Sequence, residues 1–398
     1  MMFPQTAKQR RFAGAVFFCI LGACATPQSV EPERAEAERV LCERDGVSIR
    51  TDFSGAGQHG CAPRAEEFVL TVWPEPALIG RINPSPWYGF SVEGEAGQSV
   101  DVVLDYGSHQ HRYAPWTRTG TGDWVRLSDD EVKTEDDGRI ARLTLALPEG
   151  PLRVAGQPIF AEREVADFVA GIEDRFDVER VTYGTSAQGR PLTAILAGAE
   201  DAKHLVVALT RQHPPELNGA LAFNAFVETV LGDTGDPVRP NTRYVFFPMM
   251  NPDGVENGYW RHGMGGVDLN RDWFAVSQPE VEAAQALIRQ EAEGRNMFAF
   301  LDFHSTWRTL VYFHPFDTEG ADSRYPEALK AAMDMEFDPQ PDWISSHNDG
   351  KGTSKNWALT EFNTPGMTIE LGDLVSEAEA KRVGELTADV LVSALAGE

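Results

Sequence analysis

At 398 residues the chain has length for two or three domains and a sizeable core, which does not fit a short peptide, a disulfide miniprotein or a single-module binder. Hydrophobic residues at 42%, charged residues at 24%, 36 Gly and 25 Pro are ordinary globular usage, so disorder and collagen-like structure do not fit either. Against 35 Lys and Arg stand 61 Asp and Glu, a net charge of −26 that repels phosphate backbones and anionic membrane surfaces. No nucleic-acid partner is expected.

Residues 1–23 read as an export signal: Lys8, Arg10 and Arg11 form a basic start, and Phe12 to Ala23 is an apolar run too short to span a bilayer. The run ends in Leu21-Gly22-Ala23-Cys24, which resembles the bacterial lipobox, with Cys24 as the acylated residue; an ordinary cleaved signal is the alternative. Removing the signal takes the net charge from −26 to −29 and, with Cys24 lipidated, leaves Cys42 and Cys61 as an even pair suited to a disulfide in an oxidising compartment. Residues 24–40 are rich in Glu, Ala, Pro and Arg and read as a tether. Ala25 carries no acidic group after Cys24, so the expected location is the outer membrane of a Gram-negative-type bacterium, facing the periplasm and attached through the lipid anchor alone.

From 41 to 157 short alternating runs such as Phe68 to Val72, Trp87 to Val92, Val100 to Leu104 and Ala141 to Leu147 are separated by Gly, Pro and Asp clusters, the pattern of a small antiparallel β-sandwich domain. Trp87, Tyr88, Trp116 and Trp124 serve its core or line a ligand surface. From 158 to 398 helical and strand patterns alternate. Strands are expected at Leu205 to Leu209, Arg243 to Met249, Phe298 to Phe303 and Gly366 to Leu371, and helices at Ala161 to Phe176, Leu217 to Leu231, Pro279 to Glu291 and Ser376 to Leu395. That is an α/β domain with a sheet flanked by helices.

In such sheets ligands bind beyond the carboxyl ends of the strands. The first run leads into Arg211-Gln212-His213-Pro214-Pro215-Glu216, an imidazole and a carboxylate three apart across a turn that two prolines stiffen. The third run delivers His304. Two His and one Glu give zinc three protein ligands and leave a position open for water, as in catalytic sites. Glu370 lies within an apolar strand, where an unpaired charge is costly, so it meets a cation or works as an acid or base. Beyond the second run come Asn251-Pro252-Asp253-Gly254, Arg261 and Asp268-Leu269-Asn270-Arg271. One Arg can hold a developing oxyanion, and Asn with a second Arg can grip a carboxylate.

Taken in order, H-x-x-E, N-P-D-G, D-L-N-R, the strand-end His and the strand Glu resemble the zinc carboxypeptidase family M14 over nearly all of 158–398. The resemblance implies one zinc ion per chain on His213, Glu216 and His304, with Glu370 as the base that activates water. It implies Arg261 as the carbonyl and oxyanion stabiliser, Asn270 and Arg271 as the grip on the substrate's terminal carboxylate, and Asp268 as the group orienting His213. The stretches Asp52 to Gly57, Ile82 to Tyr88, Tyr113 to Trp116 and Trp124 resemble the β-domain preceding the catalytic domain in the cytosolic-carboxypeptidase (deglutamylase-like) branch and its bacterial relatives.

Two features depart from that branch. A Pro stands where Gly commonly precedes the zinc-binding Glu, and Trp343 to Trp357 holds no Tyr where many members carry a mobile one; His347 and Asn348 fall near that place. Lys355 falls near the position that reads the terminal side chain, where a cation favours acidic residues, or it is a solvated loop lysine. The expected function is hydrolysis of the C-terminal residue of peptides or peptide-like substrates with a free carboxylate. The alternatives are an amidase on murein-type, γ-glutamyl or N-acyl amino-acid bonds, and a non-catalytic binding lipoprotein.

Overall fold

A computed structural model describes residues 40–77 and 85–397. The signal, the tether with Cys24, and Ile82-Asn83-Pro84 lie outside the described residues. Among those described, no helix is long and apolar enough to cross a membrane.

Residues 40–155 form a six-stranded and a five-stranded sheet. Their facing side chains share one core, with Ile49, Phe90 and Val154 from the first meeting Phe68, Leu104 and Leu143 from the second. The alternation seen in the sequence is the physical cause: every second residue of a strand turns to the same face. Pairing is antiparallel except that Glu67–Val72 runs parallel to Ser99–Asp105. Cys42 and Cys61 are disulfide-bonded, with Cα atoms 5.7 Å apart, joining an edge strand of each sheet. Trp87 and Tyr88 are core residues, while Trp116 and Trp124 are partly exposed in a groove beside the second region.

The second region is built on an eight-stranded mixed sheet ordered Val178–Thr185, Pro191–Gly198, Thr242–Phe247, His204–Thr210, Asn296–Thr306, Met367–Gly372, Leu310–Phe313 and Asp342–Ser345. The four strands expected from the sequence are the parallel centre, apolar because both faces are covered. Four further strands at the sheet's two sides were not anticipated. Val178–Thr185 and Asp342–Ser345 are partly exposed edges whose polar residues hide the signal. Helices Glu162–Arg175, Leu217–Leu231, Pro279–Ala292 and Glu377–Ala396 stand close to the expected bounds, and Arg324–Glu336 and Ser354–Phe362 are additional. Helix Leu217–Leu231 lies tight on the strand bearing His304: a Cβ at Gly219 would stand 2.6 Å from the His304 carbonyl oxygen. Both regions belong to one compact unit.

Candidate active site

At the carboxyl end of His204–Thr210 the chain leaves the sheet through Arg211, whose backbone is left-handed at φ 58°. This turn and the two prolines bring His213 back over the sheet, and Glu216 follows as the N-cap of helix Leu217–Leu231. His304 sits within its strand, two residues before the end, directly opposite Glu370 on the parallel neighbour.

Ligating atoms converge although they come from segments some 90 residues apart. His213 Nδ1 lies 2.8 Å from Glu216 Oε1, His304 Nδ1 lies 2.6 Å from Glu216 Oε2, and the two Nδ1 atoms are 3.2 Å apart. Among the described residues these three form the group able to hold a metal ion. The donor set fits zinc: ligands at about 2.0–2.1 Å in a tetrahedron stand about 3.3 Å apart. The outer nitrogens face carboxylates, His213 Nε2 at 3.0 Å from Asp268 Oδ1 and His304 Nε2 at 2.8 Å from Asp302 Oδ1. Each carboxylate fixes the ring and directs the Nδ1 lone pair inward. Asp302 was not singled out from the sequence. Its signal was available, a carboxylate in an apolar run two residues before His304 and therefore on the same strand face.

Glu370 is half-buried in the cleft wall, and its enclosed Oε2 has no hydrogen-bond partner. Burial pushes its carboxyl up to about 7, with Glu216 adding to the rise while His304, His213 and Arg261 oppose it. Asp268 behaves oppositely: burial is outweighed by Arg261 and His213, which hold it far below the usual carboxylate range. Arg261 Nε donates to Asp268 Oδ2 at 2.7 Å, so one carboxylate positions both a metal-site imidazole and a guanidinium.

His213, Glu216, Arg261 and Glu370 line a cleft of about 740 Å³ together with Arg112, Trp260, Asn270, Arg271, Tyr312, His347, Asn348 and Lys355. Asn270 is in the wall, but its amide already donates to Asp302 at 3.3 Å and meets His304 Nε2 at 3.2 Å, while its oxygen accepts from Ser354 N at 2.9 Å. Arg271 keeps much of its guanidinium open to the cleft, with one N–H on the Asn270 carbonyl at 2.7 Å. Lys355 is not a loop lysine. It lies in the first turn of helix Ser354–Phe362 with a side chain 2% exposed, its Nζ 3.0 Å from Asn356 Oδ1 and 3.9 Å from Asp349. Burial lowers its ammonium to about 8, Asp349 opposing. Where the sequence lacked a tyrosine, His347 stacks on Tyr312 from the neighbouring strand, ring centres 4.0 Å apart at 16°. Arg112 also escaped the sequence reading; it reaches the cleft from the β-sandwich region through a two-pronged pair with Asp373 at 2.8 and 3.1 Å.

A parallel-centred sheet with a His/Glu/His cluster and a half-buried acid at its strand ends defines a metallopeptidase of the carboxypeptidase type. The Zinc carboxypeptidase model of peptidase family M14 matches residues 173–379, just over half the chain, and the protein belongs to that family. Sequence relatives include Cytosolic carboxypeptidase 3 of Bos taurus, 34% identical over 119 residues, covering 28% of this chain and 12% of that one. Cytosolic carboxypeptidase 2 of Homo sapiens is 34% identical over 108 residues, 26% of this chain and 12% of that one. The chain thus spans about an eighth of the length of these curated relatives. Among solved structures, a metallo-carboxypeptidase from Burkholderia cenocepacia shares the fold with a TM-score of 0.70 at 18% identity, over 88% of this chain and 98% of that one. A metallo-carboxypeptidase from Pseudomonas aeruginosa does so with a TM-score of 0.68 at 21% identity, over 87% and 98%.

Proposed function

We propose that this chain is a zinc-dependent carboxypeptidase that releases the C-terminal residue of peptides and prefers an acidic one. The observation that carries the reading is the convergence of His213, Glu216 and His304 beside a half-buried carboxylate with one enclosed, unpartnered oxygen, in a cleft whose cations include Arg261, Arg271 and Lys355. Zinc held by the three ligands would supply Lewis-acid polarisation of the scissile carbonyl and of the attacking water. Glu370 takes the water's proton and returns it to the leaving amine; a carboxyl raised by burial suits both halves of that transfer. Arg261 steadies the carbonyl oxygen as charge develops on it. Arg271 holds the terminal carboxylate with Asn270 beside it, and Lys355, buried with only weak partners, offers its charge to an acidic side chain.

Incubation of the zinc-loaded protein with peptides differing only in the last residue tests this. Release of C-terminal Glu or Asp that stops on chelation and returns with zinc is the expected result. Release from muropeptides or N-acyl amino acids in place of ordinary peptides would favour the amidase reading, in which Arg271 and Lys355 take the two acidic groups of the product. Full zinc occupancy with no hydrolysis of either set would leave a binding protein. We further propose that the chain is an exported lipoprotein anchored at Cys24; the Cys42–Cys61 disulfide supports an oxidising compartment. Incorporation of labelled palmitate that survives Cys24→Ala would refute the anchor.

A further inference from the structure

Three consecutive backbone N–H groups, those of Trp260, Arg261 and His262, converge on the carboxylate of Glu75. Trp260 N donates to Oε2 at 3.1 Å, and Arg261 N and His262 N donate to Oε1 at 3.0 and 3.3 Å. The His262 ring lies alongside, its Nδ1 3.4 Å from Oε1 without a hydrogen bond. Glu75 belongs to the β-sandwich region, just past strand Glu67–Val72, and is 3% exposed. Successive N–H groups on one side of a turn make an anion-binding concavity, and a carboxylate can be buried where such donors replace its water.

The α/β region offers these three groups no acceptor of its own among the described residues. It closes the chain on either side, with Tyr259 N on Gly254 O at 2.8 Å and Gly263 N on Val267 O at 2.9 Å. The β-sandwich region grips the same segment a second time: Ser54 Oγ donates to Glu256 Oε2 at 2.6 Å and Gly55 N to Glu256 O at 3.2 Å. Gly258, at φ 62°, passes so close to the Ala56 carbonyl that any Cβ there would overlap it. The guanidinium of Arg261 is held at its far end by Asp268, which also meets His213. The backbone of Arg261 is therefore fixed from one region and its head group from the other.

We propose that Glu75 is a positioning residue for Arg261, so that the β-sandwich region is a working part of the active site and not a separate binding module. The inference rests on the reading of Arg261 as the group that steadies the scissile carbonyl. Glu75 itself lies outside the cleft lining, and its effect passes through the placement of the guanidinium.

The test is a mutant cycle on zinc-loaded protein with a peptide ending in Glu, using Glu75→Ala, Glu75→Gln, Arg261→Ala and the double variant Glu75→Ala with Arg261→Ala. Loss of an oxyanion donor sets the scale for Arg261→Ala, about 10²–10³-fold in kcat. A displacement of about 1 Å at a reacting centre costs about 10²-fold, so Glu75→Ala should lose roughly that much in kcat while KM stays within about threefold. KM is spared because Arg271 and Lys355 are untouched. Glu75→Gln keeps one acceptor oxygen and should fall between. In the Arg261→Ala background, Glu75→Ala should add less than about threefold, since no guanidinium remains to misplace.

Unchanged kcat in Glu75→Ala, or losses that multiply in full in the double variant, would overturn the inference. Zinc content and thermal melting are recorded for each protein; if Glu75→Ala does not fold at the assay temperature, the cycle is run with Glu75→Gln and read the same way. Failure of the underlying reading looks different: wild-type turnover in Arg261→Ala, or no hydrolysis by the wild type, removes the role of Arg261 and this inference with it. A normal loss in Arg261→Ala with full multiplication by Glu75 variants removes the inference alone.

Discussion

Replacing Asp302 by Asn removes one charge next to the metal-site imidazole without changing shape. Asp302 is completely buried and meets four groups: His304 Nε2 at 2.8 Å from Oδ1, and Gln212 Nε2 at 2.7 Å, Asn270 Nδ2 at 3.3 Å and Ser354 Oγ at Oδ2. Its negative charge 2.8 Å from Nε2 favours the His304 proton on that nitrogen, which leaves the Nδ1 lone pair facing Glu216 and His213. An Asn has one acceptor oxygen for the same four groups. With that oxygen on His304, the Gln212 and Asn270 amides lose their acceptor, at about 1–3 kcal/mol for each buried donor. With the oxygen turned toward them, the new NH₂ faces His304 and favours the proton on Nδ1, where it blocks the metal. Loss of such an outer partner costs about 10–100-fold in metal affinity, or about 1.4–2.7 kcal/mol. We expect the Asp302→Asn variant to melt earlier and to bind zinc at least about tenfold more weakly in competition with a fluorescent chelator at pH 7. A zinc Kd within about threefold of wild type, with an unchanged melting curve, would refute the coupling between this carboxylate and the metal site.

Glu370→Gln keeps reach and shape but not basicity, so zinc content should be unchanged while kcat falls by at least about 10²-fold; wild-type turnover would remove Glu370 as the base. The pH dependence of specificity follows from Lys355, whose ammonium burial lowers to about 8. It is charged below that pH and neutral above, so the ratio of kcat/KM for C-terminal Glu over Leu should be flat near pH 6–7 and decline through about 8. In Lys355→Met the ratio should be roughly 10–100-fold lower and independent of pH over that range, and an unchanged ranking would take the lysine out of the specificity pocket. Gly219→Ala places a methyl 2.6 Å from the His304 carbonyl oxygen, which must push helix Leu217–Leu231 off the sheet and Glu216 with it. A loss of about 1–3 kcal/mol in stability is expected together with weaker zinc binding, and a wild-type melting curve would show that the contact can relax.

The candidate metal cluster and the acid beside it were legible in the sequence because each member sits where local chemistry is conspicuous. Two prolines between His213 and Glu216 fix a short spacing, and Glu370 stands out as a charge inside an apolar strand. The parallel centre of the sheet was legible for a related reason: strands buried on both faces are continuously apolar, whereas the partly polar edges Val178–Thr185 and Asp342–Ser345 carry no such signal. Partnership across long chain separations was not. Nothing local marks Glu75 as the acceptor for N–H groups 185 to 187 residues away, or Arg112 as the partner of Asp373. Lys355 shows the limit most directly. Its sequence neighbours suit a loop lysine as well as a pocket lysine, and its state is decided by the helix that starts at Ser354 and turns the ammonium inward. Periodicity and spacing record which face a residue takes within its own element, but burial and charge pairing depend on which elements are packed together, and that is a property of the folded chain as a whole.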